Sequence, residues 1–361
     1  MYRVLSLFSG CGGLDLGLEG GFTNVADGEF LPRNNLDTVF ANDIRPGAKL
    51  AWENYFNKQG VYHLESIVDL VNKARQGEFS FPEADIVTGG FPCQDFSVAG
   101  KRLGFNSSVS HDGQTAIEIE KGSYEAASVE NRGQLYMWLM ETINIVSPKL
   151  FIAENVKGLT NLADVYEIIK RDFESLGYTV YTKVVNAKHY GVAQNRERVL
   201  FVGFKTDQLA TADVNPLPEP LFDNNNVITV REVLGDLPEP EESDDPSQRT
   251  YSKAKYYGPK VQGQTEVKWN SVAPTIRSEH HGNIEFRRLS EEHGGIILDG
   301  PERRLTVREC ARLQSFPDNY VFVQQGISGS EAYKIIGNAV PPVLAYHIGK
   351  HISENWEKWF I

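Results

Sequence analysis

Cys93 lies in a sequence context that suits a nucleophile. A predicted strand at 85–88 is followed by Gly-Gly-Phe-Pro-Cys at 89–93, so the cysteine falls on a loop at a strand end. The thiolate is the nucleophilic form of cysteine, and nearby positive groups increase its population. Without further context, a single cysteine also fits an inert buried residue.

Three further polar residues can act on a heterocyclic ring held beside such a thiol. Glu154 ends a predicted strand at 150–153, and a carboxyl group there can donate or accept a proton. Arg196 and Arg198 are two positions apart in an extended segment, so they share one face and can reach a carbonyl, a phosphate or Glu154. Without Cys93, a helix cap and a salt-bridged strand explain these residues equally well.

The run Phe-Ser-Gly-Cys-Gly-Gly at 8–13 follows an apolar strand at 4–8 and precedes a helix. Glycines allow the backbone to approach a ligand, and a helix N-terminus offers free N–H groups, although a tight structural turn would look the same. A dinucleotide fingerprint requires a third glycine at position 15, which is Asp15, so an NAD-dependent oxidoreductase is excluded. Asp43, at the end of the next strand, suits ribose hydroxyls or a helix cap, and Ile44 can pack on adenine.

The elements that must position these residues alternate between strands and helices. Predicted strands lie at 4–8, 38–41, 85–88, 150–153, 179–186 and 198–204, with helices at 135–146 and 165–176 among them. This alternation predicts an α/β fold with a mostly parallel sheet, whose ligands bind at the carboxyl ends of the strands. A Pro- and Asn-rich stretch at 215–226 indicates a linker to a smaller, irregular second domain.

Composition limits the remaining possibilities. The three cysteines among 361 residues are far apart, which argues against a zinc site or a disulfide framework. No apolar run is long enough to span a membrane, and the N-terminus does not resemble a signal peptide, so we expect a cytoplasmic protein. The net charge is −12, yet the segment 246–312 has twelve basic and eight acidic residues. This local excess fits either a DNA-binding face or a mixed, solvated surface.

Taken in order, the motifs resemble the bacterial DNA (cytosine-5) methyltransferase family of restriction–modification systems. The resemblance spans nearly the whole chain, because the blocks above are followed by RLTVRECARLQSFPD at 304–318 and YKIIGNAVPP at 333–342. It implies a Rossmann-like, S-adenosylmethionine-dependent methyltransferase fold with helices on both faces of the sheet. The implied catalytic domain is 1–215, completed by 330–361, and 216–329 forms a smaller, irregular, β-rich target-recognition domain.

The resemblance also implies a mechanism on duplex DNA. Cys93 would attack C6 of a flipped-out cytosine, Glu154 would contact N3 and the exocyclic amine, and Arg198 would contact the O2 side, with Arg196 in the same neighbourhood. The methyl group would come from S-adenosylmethionine, leaving S-adenosylhomocysteine. The base that removes the C5 proton is not identified.

Further contacts follow from family position. Ser66 stands where an acid near the adenine amine is often found, and the insert at 106–131 departs from a shorter family loop. The implied cofactor contacts are Phe8, Ser9, Gly10, Cys11, Gly12, Gly13, Asp43, Ile44, Ser66, Ile67, Pro92, Leu135, Asn338 and Ala339. The implied DNA contacts are Gln94, Ser97, Thr275 and Arg277, and His280, His281, Arg287 and Arg288 are further candidates.

The expected partner is double-stranded DNA, with a restriction endonuclease acting separately, no metal and a monomeric enzyme. Two alternatives remain open at this point. A tRNA cytosine-5 methyltransferase would use the same chemistry, although the long recognition segment favours duplex DNA. A catalytically silent DNA-binding regulator would share the fold, but the complete set of Cys93, Glu154 and Arg198 argues against it.

Overall fold

The computed structural model describes residues 1–91, 135–161, 163–253, 267–278, 286–287 and 303–360. The strands are β1 (Tyr2–Leu7), β2 (Phe22–Thr23), β3 (Phe30–Leu31), β4 (Leu36–Asp43), β5 (Tyr62–Leu64), β6 (Ile86–Gly90), β7 (Leu150–Val156), β8 (Tyr178–Asn186), β9 (Glu197–Lys205), β10 (Phe286–Arg287) and β11 (Arg303–Arg304). Seven of them form one sheet in the order β5-β4-β1-β6-β7-β9-β8. The neighbouring strands from β5 to β7 pair in parallel, whereas β9 is antiparallel to both β7 and β8. The predicted mostly parallel α/β sheet is confirmed.

Helices cover both faces of the sheet, as predicted. They are α1 (Gly13–Glu19), α2 (Pro46–Phe56), α3 (Ile67–Gln76), α4 (Leu135–Val146), α5 (Ala163–Ser175), α6 (Val230–Leu234), α7 (Pro246–Arg249), α8 (Val307–Leu313), α9 (Gly329–Asn338) and α10 (Pro342–Trp359). Successive strand side chains point to opposite faces, so Leu150 and Ile152 join one core while Phe151 and Ala153 join the other. The first core includes α1 and α10, and the second includes α3, α4 and α5. Burial on both faces explains the continuous apolar runs in the sequence.

The chain returns to the main core earlier than the predicted boundary at 330. Leu305, Cys310 and Tyr320 lie in the same core as Val4 of β1, and the Tyr320 hydroxyl donates a hydrogen bond to the carbonyl of Cys11. The apolar positions of α8 recur with helical spacing, which explains why this segment packs there. Described residues on both sides of 303 share this core, including Val230 and Trp269, so the division into two domains stays a prediction.

The predicted β-rich segment is described only in part. Between 216 and 329 the described residues form α6, α7, α8 and the two-residue strands β10 and β11. In the described part of the chain, no helix is both long and apolar enough to cross a membrane.

Candidate active site

A pocket lies at the carboxyl ends of β1, β4, β6 and β7, where the fold class places a ligand. Its wall brings together residues that are far apart in sequence, including the glycine loop after β1, the end of β7 and the end of α9. Of the predicted cofactor contacts, nine line it: Phe8, Ser9, Gly10, Asp43, Ile44, Ile67, Leu135, Asn338 and Ala339. Glu154, Arg196 and Arg198 line the same pocket. The structure thus brings nine predicted cofactor residues and three of the four predicted catalytic residues to one cavity.

The glycine loop at 8–13 requires glycine for steric reasons. Gly10 and Gly12 have φ of 54° and 77°, in the left-handed region that side chains rarely occupy. A Cβ on Gly12 would lie 2.5 Å from Cδ1 of Trp52, and one on Gly13 would lie 2.3 Å from the carbonyl oxygen of Val340. The loop is therefore pressed between α2 and the chain after α9, which fixes its backbone at the pocket wall.

Asp43 ties the end of β4 to this loop. Its Oδ2 accepts a hydrogen bond of 3.0 Å from the N–H of Gly10, and Oδ1 accepts from the N–H groups of Ile44 and Arg45 at 2.7 and 3.1 Å. Burial raises the pKa of the Asp43 carboxyl, while these three donors lower it. The carboxylate therefore shapes the pocket as well as lining it.

The other five predicted cofactor residues do not line the pocket or lie outside the described residues. The Cys11 side chain is buried and its Sγ donates to the carbonyl of Ile335 at 3.2 Å, and burial raises the pKa of the thiol. Ser66 caps α3 by accepting from the N–H of Val68. Gly12 and Gly13 support the loop from outside the pocket wall, and Pro92 lies outside the described residues.

Glu154 and Arg198 form an ion pair at the base of the pocket. Arg198 Nε lies 2.7 Å from Glu154 Oε1, and each side chain is only 11% exposed. The antiparallel pairing of β7 with β9 places Arg198 opposite Val156, which brings the two side chains together. A Cβ on Gly90 would lie 3.1 Å from Glu154 Oε2, so the carboxyl is in contact with the backbone three residues before Cys93. Cys93 itself lies outside the described residues, as do Gln94 and Ser97.

Arg196 lines the pocket, but its guanidinium is hydrogen-bonded to backbone carbonyls. Its guanidinium donates to the carbonyls of Ile276, Gly337 and Ala339 at 3.0, 2.9 and 2.9 Å, and the residue is 2% exposed. Burial lowers the pKa of this arginine well below its usual value, and the neighbouring positive charge of Arg198 lowers it further. These contacts favour a role in fixing the 337–339 wall over the predicted contact with the base.

Thr275 and Arg277, predicted to contact DNA, lie in a segment that packs on the catalytic domain. The Thr275 hydroxyl donates to the carbonyl of Asn195 at 2.7 Å. The N–H of Ile276 donates to Gln194 Oε1 at 2.9 Å, and Arg277 is partly exposed. His280, His281 and Arg288 lie outside the described residues, and nothing is described of the Arg287 side chain.

Four arginines of the locally basic segment at 246–312 are buried and three of them form ion pairs. Arg303 pairs with Glu309 at 2.9 Å and with Glu239 at 3.0 Å, and it is 7% exposed. The buried Arg308 and Arg312 pair with acidic residues of the preceding segment and with Asp318, and Arg304 is also buried. These arginines join α8 to the segment at 236–249 and are not part of an exposed basic surface.

Several supporting residues were not singled out from the sequence. Tyr62 donates to the Gly10 carbonyl at 2.9 Å, and Asn155 Nδ2 donates to the Phe91 carbonyl at 3.2 Å. Gln194 donates to Leu313 and Gln314 at 3.0 and 2.9 Å. Asn155 and Gln194 belong to motifs that were noticed, whereas no sequence signal identifies Tyr62.

Comparison with known proteins agrees with this geometry. Residues 2–354 match the family of C-5 cytosine-specific DNA methylases. The chain is 33% identical to the Type II methyltransferase M.BspRI of Lysinibacillus sphaericus, covering 98% of this chain and 82% of that protein. It is 31% identical to the Type II methyltransferase M.NgoPII of Neisseria gonorrhoeae, covering 99% and 96%.

A solved structure shares the fold. The Entamoeba histolytica methyltransferase EhMeth aligns with a TM-score of 0.63 at 14% identity, covering 99% of this chain and 98% of that one. The tRNA and silent-regulator alternatives are not favoured by these findings. The chain therefore belongs to the C-5 cytosine-specific DNA methylase family, and its activity is DNA cytosine-5 methylation.

Proposed function

We propose that this enzyme transfers a methyl group from S-adenosylmethionine to C5 of a cytosine flipped out of a specific duplex sequence, through a covalent bond between Cys93 and C6. The observation that carries the proposal is the Glu154–Arg198 ion pair beside Gly90, in the same pocket as the glycine loop. Cytosine stacked in a duplex cannot reach such a pocket, so the base must be extruded.

The chain's residues divide the work as follows. The Cys93 thiolate adds to C6, and its electron pair flows through the ring toward N3, where the carboxyl of Glu154 supplies or shares a proton. Arg198, held by Glu154, contacts the O2 side and orients the carboxyl. C5 then becomes nucleophilic enough to accept a methyl group. A base removes the C5 proton, the C6–S bond breaks with release of the thiolate, and the N3 proton returns to Glu154.

The pocket suits S-adenosylmethionine, which would supply an electrophilic methyl group on a sulfonium. Gly10 leaves room for close approach to the backbone, and Asp43 stands at the end of β4, where a carboxylate can accept ribose hydroxyls. Ile44, Ile67 and Leu135 offer apolar surface for the adenine ring.

The relatives named Type II methyltransferases support a biological role. We propose that the enzyme protects DNA in the cytoplasm of a prokaryote against a separately acting restriction endonuclease. Its recognition site would be read by the segment at 216–302.

The test is to incubate the purified enzyme with labelled S-adenosylmethionine and mixed-sequence duplex DNA, and to map 5-methylcytosine by bisulfite sequencing. A single methylated sequence motif is expected. Cys93→Ala should abolish the methylation while DNA binding survives. Label transfer to tRNA alone, or methylation by the alanine variant, would overturn the proposal.

A further inference from the structure

Asp15 is a buried carboxyl group that the proposed mechanism does not use. It is 0% exposed, and its Oδ2 accepts a hydrogen bond of 2.8 Å from Nε1 of Trp52, which is also 0% exposed. Its Oδ1 has no hydrogen-bond partner among the described residues. The positive charge of Lys58 lowers the pKa of Asp15, but the Lys58 ammonium forms its ion pairs with Glu19 and Asp37, at 2.6 and 2.9 Å. Burying a carboxylate without an ion pair costs free energy of folding, so the presence of Asp15 at this position calls for a functional explanation.

Asp15 lies directly behind the pocket wall. Trp52, which it holds, fills the space that a Cβ on Gly12 would need. The Ser6 hydroxyl lies close enough to Asp15 to lower its pKa. Ser6 also lines the pocket, and its hydroxyl accepts a hydrogen bond of 2.9 Å from the Ser9 hydroxyl. Ser6 therefore lies next to both this carboxyl group and the pocket.

We propose that the buried carboxylate of Asp15 makes the pocket select by charge, favouring the cationic sulfonium of S-adenosylmethionine over the neutral thioether of S-adenosylhomocysteine. The inference rests on the proposed cofactor. The two ligands differ by one methyl group and one positive charge, so a fixed negative charge behind the wall strengthens binding of the first and leaves the second nearly unaffected. When the methyl group is transferred, the ligand loses its positive charge, so the affinity of the pocket for the product S-adenosylhomocysteine is lower.

The groups around Asp15 allow this charge to be controlled by pH. Burial raises the pKa of Asp15 to about 6, while the neighbouring Ser6 hydroxyl and the hydrogen bond from Trp52 lower it. Burial also raises the pKa values of Cys11, Tyr62 and Tyr320, so these neighbours stay neutral near pH 6.

Charged groups also surround this site on neighbouring elements. Glu19, one turn along α1, forms ion pairs with Lys58 and Arg33 at 2.6 and 2.9 Å. Asp43, on β4, also has a raised pKa and contributes a second carboxylate. On α10, burial raises the pKa of Tyr346, which leaves that phenol neutral.

The experiment is calorimetric titration of both ligands into the wild-type enzyme at about pH 5 and about pH 7.5. We expect the preference for S-adenosylmethionine to rise roughly fivefold to tenfold with pH. Asp15→Asn should lower the preference at the higher pH by a similar factor, with its affinity for S-adenosylhomocysteine changed less than about twofold. The matched control is Asp213→Asn, which removes the same charge at an exposed position outside the pocket and should leave the ratio unchanged.

Each contrary outcome has a distinct meaning. A parallel loss of both affinities in Asp15→Asn would show a structural role and overturn the inference, as would an unchanged ratio. A wild-type preference that is flat between the two pH values overturns it without any variant. If the wild type binds neither ligand, the proposed cofactor is wrong as well.

Discussion

Replacing Glu154 by glutamine separates catalysis from cofactor binding. The substitution keeps the size of the side chain and removes the charge that pairs with Arg198 Nε at 2.7 Å. Glutamine cannot supply a proton to N3, so the addition of Cys93 to the ring loses its proton donor. Because the carboxyl belongs to the end of β7 beside Gly90 and not to the glycine loop at 8–13, cofactor contacts should be preserved.

Two magnitudes follow from this geometry. Loss of general acid–base catalysis should lower kcat about 10²- to 10⁴-fold. Since both side chains are 11% exposed, removing one partner leaves a largely desolvated guanidinium, and the free energy of unfolding should fall by about 2–4 kcal/mol. The double variant Glu154→Gln/Arg198→Met also removes the unpaired guanidinium charge. It should therefore be more stable than Glu154→Gln alone, without a recovery of activity.

The assay combines methyl transfer, calorimetric binding of S-adenosylmethionine and denaturant unfolding. Glu197→Gln is the matched control, because Glu197 pairs with Lys157 at 2.9 Å on the surface, where the side chains are 40% and 48% exposed. That variant should change stability by less than about 1 kcal/mol and leave kcat unchanged. The reasoning is refuted if Glu154→Gln keeps wild-type kcat, or if its main defect is a loss of cofactor affinity.

Three other predictions test the fold around the pocket. Gly12→Ala should lower cofactor affinity and stability more than Gly28→Ala. Both glycines have a positive φ, but only a Cβ at position 12 would meet neighbouring atoms. Equal losses for the two variants in calorimetry and unfolding would contradict this packing argument. Arg303→Met removes the ion-pair partner of buried Glu309, so the free energy of unfolding should fall by about 3–5 kcal/mol without a change in the salt dependence of DNA binding. A changed salt slope would restore a role in DNA contact. Asp15 has a folded pKa of about 6 against an ordinary 3.8, so the folded state binds the extra proton and stability should fall by about 2–3 kcal/mol as pH rises through that window. Unfolding curves for Asp15→Asn should lack this slope, and an identical slope in the variant would contradict the assignment.

The sequence was most informative where local pattern and geometry coincide. Apolar runs ending in polar residues located the strands whose carboxyl ends meet at the pocket, so Asp43 and Glu154 were placed at the right edge of the sheet. The spacing of Arg196 and Arg198 suggested a shared face, and one of them does reach Glu154.

Long-range packing could not be predicted in the same way. Cys11 was expected at the cofactor, but its side chain turns toward Ile335, more than three hundred positions away in the chain. The burial of Arg308 and Arg312 in α8 was not predicted, because each pairs with an acidic residue of a distant, proline-rich segment. Arg196 likewise bonds to carbonyls from two distant segments, a pairing that no local pattern encodes.

The central claim is that Cys93 attacks C6 of a cytosine in duplex DNA. Its most direct test is a duplex in which 5-fluorocytosine replaces cytosine in one strand, because fluorine at C5 cannot leave as a proton does and the adduct cannot eliminate. With S-adenosylmethionine present, we expect a denaturation-resistant protein–DNA complex whose peptide map places the link at Cys93, and no such complex with Cys93→Ser. Methylation of ordinary duplex DNA by the wild type, with no adduct on the fluorinated duplex or with the link at another residue, would contradict the mechanism.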